Sequence, residues 1–342
     1  MLKAFGHCEN QTFYKYVQRL KKKMATQRDK PLRRGTWFHA LLETHYSGGD
    51  WKKTHKALSD RFGELFDEER EALGDLPREM AILMRSYLWH YGADKTDRMH
   101  GWDVKAVEMT LECDWPDGEG KYRGRIDMMV EDEYGLWVVD HKTHKTLPDL
   151  TFRLLDWQSA LYIWAAREMG YNIQGFIWNY IRTKAPSTPT LAYAGKKNER
   201  LSTASLDTDW PTYYLAVKAL GRLDDPVAKA KLAQLKANRW DPGTTQTSSF
   251  FRREVLEKNE VLLTNVLAAA MRKRDEMRAY DWDDRESVGR ISGDRSCGWC
   301  DYAALCTTEL FGGNAKAIRQ QVYRVGDPLD YYQDKVRDST SD

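Results

Sequence analysis

Asp127 and Asp140 stand thirteen residues apart in the stretch GRIDMMVEDEYGLWVVDHKT, and Lys142 follows the second by two. The flanking runs of Val, Ile, Met and Trp read as strands, with EDEYG as the turn between them. Residues i and i+2 of a strand share a face, so Asp140 and Lys142 point together above Val138. Hairpin pairing brings Asp127 alongside. Two carboxylates and an ammonium at the mouth of a hairpin suit a hard divalent cation, with the lysine free to orient or activate a water and to steady a developing charge. Phosphodiester hydrolysis needs that combination. An Asp-x-Lys tripeptide taken alone reads more readily as a surface salt bridge between strands, because it is common by chance.

The elements that must position these residues follow from periodicity and turn chemistry. A helix is expected over Thr12 to Leu20. Another is entered at Gly35-Thr36, with Thr36 as cap and Trp37, Leu41 and Leu42 at helical spacing, which puts His39 and Glu43 on one face. Further helix is expected from Thr54 to Arg70 and from Arg78 to Tyr91. Strands follow over Val104 to Glu112, Lys121 to Val130 and Leu136 to Lys142, separated by DWPDGEG and EDEYG. A helix from Asp156 to Glu168 and a strand from Gly175 to Ile181 complete an αβββαβ order. Beyond Pro186 the pattern predicts helix near 211–222 and 226–238, a long amphipathic helical segment from Arg253 to Tyr280, and a frayed tail, KVRDSTSD.

With 342 residues the chain can bury a large core. Its 53 basic and 51 acidic residues leave a net charge of only +2, so the chain as a whole makes no electrostatic claim on nucleic acid. Charge is unevenly placed, however: nine Lys or Arg stand between Lys15 and Arg34 against one acid, Asp29. Such a run is a solvated helix face or a phosphate-binding surface. No apolar run reaches the roughly 18 residues of a membrane span, and the opening MLKAFGHCEN has no secretory apolar stretch. A soluble, cytoplasmic protein is expected. No P-loop motif occurs, so no ATP motor is expected.

Four motifs occur in order: GTWFH (Gly35 to His39), GRID (Gly124 to Asp127), DHKT (Asp140 to Thr143) and QSALY (Gln158 to Tyr162). With them the sequence resembles the RecB-like branch of the PD-(D/E)XK nucleases. The resemblance implies an α/β, restriction-endonuclease-like αβββαβ core, a mixed central sheet flanked by helices, with an extended helical C-terminal region. It implies that His39, Asp127 and Asp140 hold a catalytic Mg2+ or Mn2+, with the backbone carbonyl of His141 as a further ligand. Lys142 would be the catalytic lysine, and Gln158 and Tyr162, one helical turn apart, would help position the nucleic-acid strand. Glu108 and Glu43 match weaker family positions and stand outside the expected core site.

Cysteine spacing supplies a second signal. Cys297, Cys300 and Cys306 form C-x2-C-x5-C, Cys8 stands 289 residues before the first of them, and Cys113 is the odd one out. Structural zinc usually draws on two close pairs. The three-plus-one arrangement resembles the iron-sulfur staple of RecB-like nucleases found in AddB and in CRISPR-associated adaptation nucleases, which implies a 4Fe-4S cluster on Cys8, Cys297, Cys300 and Cys306. Zinc is the alternative, since thiolates suit either metal. Family members often carry proline after the first cysteine, where this chain has Glu9.

The expected organisation is a basic helical segment with the first cluster cysteine (1–34), the nuclease core (35–185), a helical insertion or roof (186–290), the three-cysteine segment (291–334) and a tail (335–342). GFIWNYIRTKAP and SFFRREV resemble segments of nucleases from tailed bacteriophages. The expected function is therefore a metal-dependent DNA exonuclease of phage or bacterial recombination, repair or replication. Its expected substrate is DNA that is single-stranded or has single-stranded ends, tracked by the Lys15 to Arg34 run, Lys196, Lys197 and Arg200, with some of the 13 Trp stacking on bases. A single-strand annealing or recombination protein is the expected protein partner, and oligomeric state stays open. The alternatives are a structure-specific endonuclease, a non-catalytic DNA-binding protein that keeps the fold, and an iron-sulfur redox protein, which no dinucleotide fingerprint supports.

Overall fold

A computed structural model describes residues 1–92, 101–146, 156–237, 248–257, 259–290 and 295–326; the tail expected at 335–342 lies outside the described residues. In chain order the elements are α1 (Leu2–His7), α2 (Glu9–Thr12) running into a π-turn (Phe13–Val17), β1 (Leu20–Lys22), α3 (Lys30–Tyr46), α4 (Trp51–Gly63), α5 (Asp67–Leu73) and α6 (Leu76–Tyr91). Then come β2 (Asp103–Asp114), β3 (Lys121–Asp132), β4 (Gly135–His144), α7 (Trp157–Glu168), β5 (Ile173–Arg182), β6 (Leu191–Ala192), β7 (Arg200–Leu201), α8 (Trp210–Ala219) and α9 (Pro226–Ala237). The last are β8 (Phe251–Glu257), α10 (Glu260–Ala279), α11 (Ala303–Leu310), α12 (Ala315–Val322) and β9 (Tyr323–Val325).

The chain divides into two compact units. One comprises Pro31–Phe66 and Gly74–Leu263, and is built on a five-stranded sheet in the order β2-β3-β4-β5-β8. Neighbours are antiparallel except β4 and β5, which are parallel because α7 carries the chain back between them. One face of the sheet, through Met128, Val130, Val139, Ile177 and Ile181, packs on Phe38, Leu41 and Leu42 of α3 and Met80, Leu83 and Met84 of α6. Burying side chains of this size stabilises by roughly 1.5–3 kcal/mol each before entropy is counted. The expected αβββαβ order is present, within a mixed sheet flanked by helices.

The sheet has a fifth strand where helix was expected. Residues from Arg253 onward begin inside β8, and α10 starts only at Glu260. FRREVLE hides its strand character because its charged side chains are satisfied in the sheet: Arg252 pairs with Glu254 at 2.6 Å, and Glu254 is buried. Helix boundaries move for equally local reasons. Thr26 and Asp29 form a capping box just ahead of α3, so Gly35 and Thr36 lie within the helix, and the Thr36 hydroxyl donates to the Leu32 carbonyl at 2.9 Å. The helix expected over Thr54 to Arg70 is two, α4 capped by Asp50 and a separate α5.

The other unit comprises Met1–Lys30, Asp67–Leu73 and the described part of Thr264–Asp342. Helix was expected to continue to Leu20, but Leu20 opens β1, which pairs antiparallel with β9 through Leu20↔Val325 and Lys22↔Tyr323. Phe13, Tyr14, Val288, Tyr302, Leu305 and Tyr323 form its core. Glu309 is its polar hub, accepting from the Tyr14 hydroxyl at 2.6 Å, Arg285 at 2.5 Å and Arg319 at 2.6 Å. Burial alone would raise its carboxyl, but these donors hold it below the ordinary range. Members of the basic run serve here as well: Lys22 pairs with Asp29 at 3.3 Å and Asp301 at 2.6 Å. Among the described residues, no helix is long and apolar enough to cross a membrane.

Candidate active site

The hairpin of β3 and β4 pairs from Asp132↔Gly135 up to Met128↔Val139. Beyond that pair the Asp127 carboxylate takes over, accepting from the His141 backbone N–H at 2.6 Å. Asp127 is thus fixed to the DHKT strand by a charge-assisted bond. From α3, His39 Nδ1 lies 3.3 Å from Asp127 Oδ1. From β2, Glu108 joins them: one ligand atom each of His39, Glu108 and Asp127 lie within 4.8 Å of one another, and the three could hold a cation.

Glu108 was left outside the expected site, and the register shows how it enters. It faces Asp127 across the ladder, between the pairs Val107↔Met128 and Met109↔Ile126. Counting six residues back from the turn pair Asp114↔Lys121 along both strands reaches Glu108 and Asp127 together. Its backbone φ of 51° is a left-handed value in mid-strand for a side chain other than glycine. Strain of this kind, about 1–3 kcal/mol, gathers at functional sites. Arg125 Nε meets the Glu108 carboxylate at 2.7 Å.

Asp140 is buried and held from two sides. Lys142 Nζ lies 2.5 Å from its Oδ2, and the Gln158 amide donates to its Oδ1 at 2.9 Å. Gln158 reaches it from the first turn of α7, which Asp156 caps by accepting from the Gln158 backbone N–H at 3.1 Å. Lys142 also lies 5.4 Å from the centroid of the Trp178 ring, within cation–π reach. Burial pushes the Asp140 carboxyl up to about 6, with the charge of Asp127 adding and that of Lys142 opposing. At Asp127 burial acts in the same direction, yet His39 and Lys142 outweigh it and hold the carboxyl well below the usual range. Burial would lower Lys142, but Asp140 and Asp127 more than compensate and keep its proton on. One electrostatic unit therefore contains a carboxylate that stays ionised and a second that titrates near neutrality.

The profile of a family described as the PD-(D/E)XK nuclease superfamily matches residues 1–307. The chain belongs to the PD-(D/E)XK nuclease superfamily. No significant match is found among curated proteins. Membership makes this chain a nuclease by class, a hydrolase acting on DNA with divalent metals such as Mg2+ or Mn2+, and the mixed five-stranded sheet fits a restriction-endonuclease-like core.

The PD-(D/E)XK motifs touch one another through their glycines. A Cβ on Gly35 would come 3.1 Å from Thr143 Oγ1, so the GTWFH helix lies directly against DHKT. A Cβ on Gly124 would come 2.8 Å from Tyr162 Cε1 and 2.9 Å from the Tyr122 hydroxyl, so GRID leaves room for the ring that QSALY supplies. Gly124→Ala is therefore expected to displace Tyr162 and, through α7, Gln158. We expect a stability loss of about 1–3 kcal/mol and a larger proportional loss of cleavage, read by thermal melting beside kcat/KM.

Four of the five cysteines lie in the other unit. Cys8 precedes α2, Cys297 is exposed in a 3-10 turn, Cys300 follows it, and Cys306 sits on α11. Burial, with the neighbouring Cys8 and Cys297 adding, pushes the Cys300 thiol up. The Asn10 amide donates to the Cys306 sulfur at 3.1 Å. Cys113 stands apart on β2 in the sheet unit, its thiol pushed up to about 11 by burial and the nearby Glu168 and Asp114.

Proposed function

We propose that this PD-(D/E)XK protein is a metal-dependent DNA exonuclease of phage or bacterial recombination, repair or replication. The carrying observation is the convergence of His39, Glu108 and Asp127 within 4.8 Å, beside Asp140 and Lys142. His39, Asp127 and Asp140 hold Mg2+ or Mn2+, joined by Glu108 and the His141 carbonyl. This hard donor set, four oxygens and an imidazole, fits those ions. When bound, the cation supplies Lewis-acid stabilisation of charge building on the phosphoryl oxygens. Lys142, anchored by Asp140, donates toward the attacking water or the same oxygens. Gln158 holds the Asp140 carboxylate, and Tyr162, one turn further along α7 and packed on Gly124, helps position the substrate strand.

The exonuclease reading draws on the likeness of β5 and β8 to phage nuclease segments, and with it go DNA with single-stranded ends as substrate and a single-strand annealing protein as partner. The Cys8, Cys297, Cys300 and Cys306 thiols carry a 4Fe-4S cluster. In support, the family match takes in all four cysteines, and Asn10 already donates to one sulfur, as partners of cluster ligands do.

The test uses linear single- and double-stranded DNA, labelled at one end or internally, with Mn2+, with Mg2+ and with a chelator. Metal-dependent release of terminal label ahead of internal label supports an exonuclease and gives its polarity. Internal cuts from the earliest time, or cleavage of closed circles, would make it an endonuclease.

A further inference from the structure

His141, Asn179 and Arg253 form one row across three neighbouring strands, paired His141↔Asn179 between β4 and β5 and Asn179↔Arg253 between β5 and β8. The face they occupy is otherwise apolar, with Val139, Ile177, Ile181 and Phe251 on either side of the row. The Asn179 amide N–H group lies 2.8 Å from His141 Nδ1 and donates to the Tyr87 hydroxyl at 2.9 Å. The Tyr87 and Tyr46 hydroxyls are 2.8 Å apart, and the Arg253 guanidinium donates to both, at 3.3 and 3.5 Å. That guanidinium packs on the Tyr91 and Trp102 rings, 3.7 and 3.9 Å from their centroids.

Apolar residues would fill this core at lower cost, because a buried amide and guanidinium lose hydration that the network must replace. The row ends on the one side chain that lies between Asp140 and Lys142 in sequence. His141 is gripped three ways: its backbone N–H by Asp127, its Nδ1 by Asn179, and its ring face by Tyr46, parallel to within 11°. An amide N–H donating to Nδ1 selects the imidazole tautomer that carries its proton on Nε2.

We propose that Asn179 and Arg253 are positioning residues of the nuclease site, holding His141 in one ring orientation and one tautomer. They thereby set the backbone from which Asp140 and Lys142 project. Neither touches substrate; both act through His141. This rests on the nuclease reading above, and it makes the polar residue of β5 and the second arginine of SFFRREV parts of the active site.

Asn179→Leu keeps the volume and removes the donor. We expect a folded protein whose kcat falls about 10- to 100-fold with little change in KM for DNA, and whose Mn2+ affinity falls alongside. In 15N spectra of histidine-labelled protein, His141 should report an Nε2–H tautomer in the wild type and lose that single state in the variant. Asn179→Asp should move the proton to Nδ1. Tyr87→Phe, which keeps the ring and cuts the link to Arg253, should fall between Asn179→Leu and wild type, and it stands in if Asn179→Leu does not fold. Wild-type kcat and Mn2+ affinity in folded Asn179→Leu, or in Tyr87→Phe in its place, would overturn the proposal, as would a wild-type His141 protonated on Nδ1. Wild-type protein that cuts no DNA would instead sink the nuclease reading, while the tautomer spectra would still report on the row.

Discussion

Asp127→Asn is expected to lower metal-dependent cleavage by roughly 10^3-fold or more, about 4 kcal/mol of barrier, without unfolding the protein. The amide oxygen can still accept from the His141 N–H, now held at 2.6 Å, so the strand stays in place. What disappears is the charge nearest His39 and Glu108 in the triad. Neutralising Asp127 relieves its repulsion with Asp140 but gives up the larger attraction of His39 and Lys142 that holds it ionised, so the variant should stay folded and melt somewhat below the wild-type temperature. Glu108→Gln should follow the same pattern. Calorimetric titration with Mn2+ separates the outcomes: wild-type affinity and rate in Asp127→Asn would place the metal elsewhere. The same titration carries a pH dependence with a definite sign. A carboxyl must shed its proton to bind a cation, and Asp140 sheds it near pH 6. Mn2+ affinity should therefore be flat well above pH 6 and fall by up to tenfold per unit below it. Asp127, held well below the ordinary range, is already ionised across that window.

How much of this site was legible in the sequence depended on whether each signal was local. GRID, DHKT and QSALY announce themselves because each combines a strand or helix period with a charge or amide out of place. Their joint geometry then follows from one hairpin and one crossover helix. Glu108 carries no such mark: VEMTLE reads as a strand with ordinary charges, and only the register across DWPDGEG sets it opposite Asp127. β8 was hidden for a related reason, since Arg252 and Glu254 pair with each other and Arg253 reaches Tyr87 of α6, and these contacts erase the alternation that marks a half-exposed strand. Leu20 begins a strand because its partner is Val325, three hundred residues on, and no window around Leu20 contains that fact. Asn179 was visible as a polar residue inside IWNYI, but the ring it holds and the arginine beyond it belong to neighbouring strands.

Cys306→Ala should cost at least about 3 kcal/mol of stability and abolish broad absorption near 400 nm, whereas Cys113→Ser should leave both nearly unchanged. The contrast follows from surroundings. Cys306 sits on α11 with Asn10 donating to its sulfur, in the unit whose core joins Phe13 and Tyr14 to Tyr302 and Leu305. A cluster bound there ties the first residues of that unit to its last helices. Such a link acts on the unfolded chain as a long-range crosslink and on the folded one as a set of metal–sulfur bonds. That unit's other ties between its first and last segments include the β1–β9 ladder, Tyr14 with Glu309, Lys22 with Asp301, the Tyr302 hydroxyl on the Leu20 carbonyl, and the shared aromatic core. A cluster would add metal–sulfur bonds to these contacts, and losing one ligand would weaken all of those bonds together. Cys113 sits on β2 in the other unit, its thiol protonated at neutral pH. Protein purified without oxygen decides between the metals: brown protein that bleaches in Cys306→Ala carries iron and sulfide, colourless protein holding one zinc takes the alternative staple, and a colourless metal-free wild type of full stability would leave these thiols as packing alone.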